Sequence, residues 1–242
     1  MSAVPASVHP GQEQHRSRSL LVAILAFLLG GLTVALLYQL DVFGGSSSST
    51  TVGSGVAATQ ARDLPSFTGV ELAGSNNVVI RVGEKQSVVV RADDNLLSRV
   101  TTEVQSGKLV IATPGSFTTN SPMSVEVAVP TLTVLTLGGS GNIVVGGIAA
   151  ESLEVTLPGS GTLTGSGTAT RLDVTVGGSG TVQFTRLVAN DVNALVSGSG
   201  SIFVTATTSL DASVSGSGAI LYTGSPQDVS RNVTGSGAIT GS

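Results

Sequence analysis

The stretch LEVTLPGSGTLT (residues 153–164) decides the fold, because the chain repeats it as LDVTVGGSGTVQ (residues 172–183). A fixed period near 20 residues predicts structural units that stack on one another. The tripeptide Gly-Ser-Gly at the centre of the stretch occurs six times in this spacing, at intervals of 20, 19, 20, 18 and 19 residues, with its serine at Ser140, Ser160, Ser179, Ser199, Ser217 and Ser236.

Aliphatic and polar residues alternate on both sides of each tripeptide. The position two residues before the first glycine is Leu or Val in all six copies, and the positions four and six before it are mostly apolar. The positions three and five before it are mostly polar. After the tripeptide one residue is skipped and an aliphatic residue returns, so a second strand leaves each corner. Alternation with a period of two predicts half-buried strands that keep one register from copy to copy.

The repeat predicts an all-β fold, a right-handed parallel β-helix with rungs of about 19 residues that each hold three short strands and three corners. An antiparallel sandwich is the alternative, but hairpins would not place the same turn at such regular intervals. Glycine is expected at the corners because it adopts positive φ and sharp bends that a side chain disfavours. The predicted corner glycines are Gly139, Gly141, Gly159, Gly161, Gly178, Gly180, Gly198, Gly200, Gly216, Gly218, Gly235 and Gly237.

Residues 64–130 alternate less regularly, and we expect irregular N-terminal coils that cap the regular repeats of residues 131–242. Residues 64–130 contain eleven of the 23 charged side chains beyond the N-terminal tail, and the polar outer face of a cap requires such residues. The last copy leaves an open strand edge, which invites pairing with another chain. Arg231 occupies a core position in this copy and argues against such association. A homo-oligomer formed through this C-terminal edge is the alternative.

Residues 20–40 (LLVAILAFLLGGLTVALLYQL) contain no charged side chain. At ~1.5 Å per residue a helix of this length crosses a hydrocarbon core of about 30 Å. We predict a transmembrane anchor helix here. A cleaved signal peptide is the alternative, but the apolar run exceeds the usual ~7 to 15 residues and no small-residue cleavage site follows it.

The charges that flank this segment predict its orientation. Arg16 and Arg18 precede it and Asp41 is the first charge after it. The positive-inside rule then places residues 1–19, a polar tail predicted to be disordered, in the cytoplasm. The rest of the chain is expected outside the plasma membrane as a single-pass protein. Residues 41–63 are rich in Gly, Ser and Thr and are predicted to form a flexible linker to the β-helical domain.

Composition excludes several classes of function. The chain has no Cys, so disulfides, thiolate ligands and thiol nucleophiles are absent. Both histidines, His9 and His15, lie in the N-terminal tail, which excludes a Ser-His-Asp triad and His-ligated zinc from the predicted β-helix. The eleven cationic residues form no run and the net charge is -4, so nucleic-acid binding is not expected. No cofactor is expected either.

The position five residues before each corner predicts a candidate ligand face, formed by Glu154, Asp173, Asn193 and Asp211 on consecutive rungs about 4.8 Å apart. Stacked carboxylates repel one another unless water or a cation such as calcium lies between them. A solvated polar face is the simpler interpretation, because no loop converges to complete a calcium site. A glycosidase would need two carboxylates about 5 to 10 Å apart, such as Asp173 and Asp211, but nothing separates their pKa values and sugar-stacking aromatic residues are nearly absent.

Several motifs follow one another in an order that resembles a known family. They are Phe67 to Leu72, GSNNVVIRVG (74–83), Asp94-Asn95, GKLVI (107–111), VPTLTVLTLGGSGNI (129–143) and YTGSPQDVSRNVTGSGAI (222–239). Over roughly residues 64–242 the chain resembles the auto-transporter adhesin head domains, also called the GIN domain family. The resemblance implies a bacterial, β-helical domain that is secreted or tethered to a membrane, with no catalytic residues to transfer.

The sequence therefore predicts a non-catalytic, adhesin-like module that is tethered to the plasma membrane and binds an envelope polysaccharide or protein. Polar groups repeated every ~4.8 Å along a stiff face would give many weak contacts to a repeating ligand. A structural or signalling accessory that partners with another membrane protein is the alternative, and a polysaccharide-active enzyme is the less favoured one.

Overall fold

The computed structural model describes residues 50–119 and 121–242, which belong to one compact unit and form seventeen strands and one 3-10 helix, Asp94–Arg99. The strands are β1 (Thr51–Val52), β2 (Ala57–Arg62), β3 (Gly69–Leu72), β4 (Asn77–Val82), β5 (Ser87–Asp93), β6 (Thr101–Gln105), β7 (Lys108–Ala112), β8 (Phe117–Thr118), β9 (Ser124–Val129), β10 (Val134–Leu137), β11 (Asn142–Leu157), β12 (Thr162–Val176), β13 (Thr181–Val196), β14 (Ser201–Gly216), β15 (Ala219–Thr223), β16 (Asp228–Gly235) and β17 (Ala238–Gly241).

Four long strands, β11 to β14, form the regular part of the molecule. Each pairs in parallel with the next, and a shift in register interrupts each pairing, as between Val145 and Ile148 of β11. The buried side chain of Leu153 lies beside Leu172 of the next rung, and Val192 and Leu210 continue the column. Parallel pairing between successive repeats confirms the predicted β-solenoid, which has about five turns. Its right-handed sense stays a prediction.

The corner glycines are needed mainly because successive rungs approach one another closely. A Cβ on Gly159 would lie 2.1 Å from the carbonyl oxygen of Gly139, and a Cβ on Gly161 would lie 2.0 Å from that of Gly141. Comparable approaches to the preceding rung recur at the other corners. The expected reason, positive φ, holds at only two of the twelve corner glycines, all of which the structure describes: Gly216 (144°) and Gly235 (115°). For the other ten, that part of the sequence-based explanation was wrong.

The core is aliphatic, with one large aromatic ring fully enclosed by the stack. Phe184 is completely buried, and a Cβ on Gly165 of the preceding rung would lie 2.4 Å from its ring. Tyr222, 6% exposed, stands in a similar relation to Gly241, where a Cβ would lie 2.6 Å from the ring. A glycine on a neighbouring rung therefore makes the space for each ring.

The N-terminal coils do not stack in chain order. The first coil, β3 and β4, pairs with β10 and β11 of the first regular rung. The second coil, β7 and β9, pairs with the far side of the first coil. The outer strands pair in antiparallel fashion. β5 pairs with both β9 and β2, and β6 pairs with β7. Residues 64–130 therefore combine two solenoid coils with an antiparallel cover.

The predicted linker is partly a folded element, which corrects the expected boundary at residue 64. Strand β1 pairs with β8, and β2 pairs with β5 over Ala57–Arg62. The guanidinium of Arg62 donates hydrogen bonds to the carbonyl oxygen of Leu97 (2.9 Å) in the 3-10 helix and to that of Val100 (3.3 Å) directly after it. Residues 51–62 therefore help to cover the N-terminal end of the core.

Within residues 50–119 and 121–242, no helix is both long enough and apolar enough to cross a membrane. The predicted tail (1–19) and transmembrane anchor (20–40), together with the first part of the predicted linker, lie outside the described residues.

Candidate functional site

The structure places the four predicted ligand-face residues in one column on the outer surface. Glu154 pairs with Asp173, Asp173 with Asn193, and Asn193 with Asp211 on successive strands, and Ser230 follows on β16. Three of the four predicted side chains are exposed, and Asp173 is half-buried. Parallel pairing puts neighbours in such a column about 4.8 Å apart.

A second outward column, which the predicted ligand face did not include, runs beside the first. It consists of Ser152, Arg171, Asp191, Ser209 and Asp228, which pair across β11 to β14 and β16. These residues stand seven positions before each corner, so the aligned repeats contain the signal that would have found them. Together the two columns form what we call the paired polar face.

An ion pair joins the two columns at one rung. The Nε of Arg171 donates to Oδ2 of Asp173 (2.8 Å), and its terminal nitrogen donates to Oδ1 (2.9 Å). This hydrogen-bonded guanidinium lowers the pKa of Asp173 from its ordinary value, and a hydrogen bond from Asn193 acts in the same direction. A guanidinium therefore lies beside the stacked acidic side chains, and the predicted column of carboxylates did not contain this cation.

The same contact bears on catalysis. A general acid for glycoside cleavage needs a raised pKa, whereas Arg171 lowers the pKa of Asp173. The carboxyl group of Asp173 is therefore tuned in the direction opposite to a catalytic acid.

An open groove of about 720 Å³ lies over the C-terminal half of the paired polar face. Its walls include Asp191 and Asn193 from one rung and Ser209 and Asp211 from the next, and the hydroxyl of Ser209 donates to Oδ1 of Asp191 at 2.7 Å. Further lining residues are Arg171, Gln227, Asp228 and Ser230, with the apolar column Val192, Leu210 and Val229 between the two polar columns.

Two of the four predicted site residues, Asn193 and Asp211, line this groove, whereas Glu154 and Asp173 lie outside it. The lining contains three carboxylates and one guanidinium, so the groove carries a net negative charge. Its oxygens can accept hydrogen bonds from hydroxyl or ammonium groups of a ligand. In the part of the chain that the structure describes, no three His, Cys, Asp or Glu side chains form a group suited to a metal ion.

Comparison with solved structures shows the same fold in bacterial proteins described as adhesins. The chain is similar to a "putative adhesin" from Bacteroides fragilis, with 23% identity and a TM-score of 0.66 over 79% of this chain and 99% of that one. It is also similar to a "putative adhesin" from Parabacteroides distasonis, with 21% identity and a TM-score of 0.51 over 80% of this chain and 100% of that one. Curated proteins gave no match.

The sequence profile of one protein family matches residues 66–226, about two thirds of the chain. That range spans both N-terminal coils and the regular rungs up to β15. The chain therefore belongs to the family described as "Putative auto-transporter adhesin, head GIN domain".

Proposed function

We propose that this protein is a non-catalytic, adhesin-like binding module that holds a hydroxyl-rich polymer of the cell envelope along its paired polar face. The observation that carries this proposal is the groove of about 720 Å³, in which polar side chains from adjacent rungs face one ligand channel. Membership of an adhesin head family supports a surface role for the domain.

The geometry favours a repeating ligand. Polar side chains recur at equivalent positions on successive rungs, so each rung offers hydrogen-bonding groups at intervals of about 4.8 Å. Individually weak contacts add up when they are linked along one polymer. The strands that carry them are fixed by parallel pairing on both sides, so little ordering is needed on binding.

The groove chemistry favours a neutral or cationic polymer over an anionic one. The carboxylates of Asp191, Asp211 and Asp228 can accept hydrogen bonds, and Arg171 already donates two to Asp173. Sugar hydroxyl groups and protonated amines donate hydrogen bonds to carboxylates. A polymer rich in phosphate or carboxylate groups would meet like charges in the same channel.

We further propose that residues 20–40 tether the module to the plasma membrane, with residues 1–19 in the cytoplasm and the β-solenoid outside. This part of the proposal rests on the uncharged apolar run and on the flanking charges, Arg16 and Arg18 before it and Asp41 after it. Labelling of single cysteines, introduced into the tail or into the solenoid of this cysteine-free chain, would test it in intact cells, because only the solenoid cysteine should react with an impermeant reagent.

Co-sedimentation with isolated, insoluble envelope polymers tests the binding proposal. The groove variant combines Asp191→Ala, Asn193→Ala and Asp211→Ala. The control combines Glu84→Ala, Glu103→Ala and Gln105→Ala, which also removes two carboxylates and one side-chain amide from exposed positions, but outside both the paired polar face and the groove.

We expect saturable binding by the wild type and the control, and at least a tenfold rise in Kd for the groove variant. Loss of about three hydrogen bonds, each contributing roughly 0.5 to 1.5 kcal/mol, accounts for this magnitude. Equal binding by both variants would show that the binding site lies outside the groove. Lack of binding by the wild type would refute the adhesin-like proposal and direct attention to a protein partner in the membrane.

A further inference from the structure

The two ends of the solenoid differ in how they are finished. At the N-terminal end the antiparallel strands β2 and β6 and the 3-10 helix lie over the last coil. At the other end β16 pairs only with β14, and β17 only with β15, among the strands that the structure describes. Their outer edges therefore present backbone donors and acceptors that a further strand could use.

The core side of this last coil is apolar and open. Val229 and Val233 occupy the inward columns of the solenoid, yet they are 40% and 44% exposed. A bare edge with apolar side chains on its core side is the kind of surface that recruits another strand in register. The first candidate to pair there is a second copy of the same edge.

One charged side chain interrupts this surface. Arg231 continues the inward column of Ala194 and Ala212, where every preceding rung places a small or aliphatic residue. Its guanidinium lies over the ring of Tyr222, 5.0 Å from the centroid, and donates a hydrogen bond to the Tyr222 hydroxyl. Since Tyr222 is almost fully buried, this contact holds the charge over the open end of the core.

Pairing of two identical edges would bury that charge. In the twofold antiparallel register that sets Val229 opposite Val233 of a second copy, Arg231 lies opposite Arg231 of the second copy. Like charges placed directly opposite destabilise a strand pair. Shifting the register by two residues sets Arg231 against a valine, which removes an ion from water without a partner. A shift by one residue turns the apolar side outward.

We propose that Arg231, positioned by Tyr222, keeps the C-terminal edge of the solenoid from pairing with a second copy of the chain. Arg231 places a charge at an inward position of β16. In each register described above that keeps the apolar side inward, this position needs an uncharged side chain. The surface is therefore a self-association site that a single side chain holds closed.

Sedimentation velocity of the full chain in a mild non-ionic detergent tests this proposal, with the wild type compared with Arg231→Val and Asn232→Val. The second substitution is the matched control, because it adds the same valine to the same edge strand on the outward side. Arg231→Lys tests whether charge is the operative property. Circular dichroism and thermal unfolding verify that each variant is folded.

We expect Arg231→Val to associate in a concentration-dependent manner, with a dimer Kd at least tenfold lower than that of the wild type, Asn232→Val and Arg231→Lys. The tenfold change corresponds to about 1.4 kcal/mol. Arg231→Thr provides a second neutral variant if the valine variant does not fold, and it should associate more than Arg231→Lys. Identical sedimentation of the neutral variants and the wild type across the concentration range would overturn the proposal.

Discussion

Two adjacent glycines in one corner provide a sharp test of why the rungs need glycine. A Cβ on Gly178 would lie 2.2 Å from the carbonyl oxygen of Gly159, whereas a Cβ on Gly177 would have its nearest neighbour at 3.7 Å, the hydroxyl of Ser197. Neither residue has a positive φ. Both variants add one methyl group to the same corner. The methyl group of Gly178→Ala collides with the preceding rung, whereas that of Gly177→Ala does not.

The expected cost of Gly178→Ala follows from this collision. The added methyl group overlaps a backbone oxygen by about 1 Å, and overpacking of this kind costs roughly 1 to 3 kcal/mol. Displacement also strains the hydrogen bond from the Gly180 N–H to the Gly159 carbonyl, 3.2 Å long. A lost hydrogen bond adds roughly 0.5 to 1.5 kcal/mol. We therefore expect Gly178→Ala to lower the free energy of unfolding by about 3 kcal/mol.

Thermal unfolding followed by far-UV circular dichroism measures the difference. For a domain of this size 1 kcal/mol shifts Tm by about 2 to 4 °C, so Gly178→Ala should unfold roughly 6 to 12 °C below the wild type. Gly177→Ala should leave Tm unchanged or raise it slightly, because alanine restricts the unfolded chain where its Cβ fits. Equal losses in the two variants, or no loss in Gly178→Ala, would refute the argument that close rung approach requires these glycines.

Two further predictions concern the core and the paired polar face. Gly165→Ala should lower the free energy of unfolding by about 1 to 3 kcal/mol, because the added Cβ meets the Phe184 ring. In urea unfolding, the double variant Gly165→Ala/Phe184→Leu should recover part of this loss. Simple additivity of the two free-energy changes would contradict this prediction. Arg171→Gln should raise the pKa of Asp173 toward its ordinary value of about 3.9, as measured by NMR titration of the carboxyl carbon. Since the folded-state pKa of Asp173 is lowered, the stabilisation from its ionised form is present above the unfolded-state pKa and is lost as the pH falls through the folded-state pKa. The acid-induced loss of stability below about pH 4 should therefore be smaller in Arg171→Gln, and an unchanged Asp173 pKa would show that the ion pair does not persist in solution.

The regular rungs were predictable because the position of each residue relative to the Gly-Ser-Gly corner indicates whether its side chain faces inward or outward. Leu153, Leu172, Val192 and Leu210 recur at the same distance from a Gly-Ser-Gly corner, so the sequence itself aligns the strands that pair. The reason for the glycines was less accessible. Positive φ is a property of one residue, whereas the approach of Gly159 to the carbonyl oxygen of Gly139 depends on two rungs in contact.

The N-terminal coils were harder because their pairing is non-local and unrepeated. Gly69 pairs with Val134 across 65 residues, and no shared motif marks the two strands as neighbours. The composition of residues 41–63 predicted a linker, yet Ala57–Arg62 forms a strand whose small and polar side chains cover the core end. A covering strand does not need the apolar alternation by which core strands are recognised.

The candidate site was half predictable for a related reason. The column of Glu154, Asp173, Asn193 and Asp211 follows from the repeat, but the groove depends on the depth of the surface between two columns. Asp191, two positions before Asn193 on the same strand, belongs to the site, whereas Glu154 does not. Period-two alternation marks both as outward-facing and cannot distinguish a groove from a flat face.

The division of labour between inward and outward positions explains how this fold can serve as a binding surface. Stacking fixes the inward aliphatic columns and the corner glycines, since a change at either collides with the adjacent rung or leaves a cavity. The outward positions meet no such restriction, and on adjacent rungs they hold side chains as different as Arg171 and Asp191. The side chains of the paired polar face can therefore change without altering the solenoid. The exception is the final rung, where the inward-facing Arg231 is exposed and carries a charge. This residue must both fit the end of the core and remain compatible with solvent.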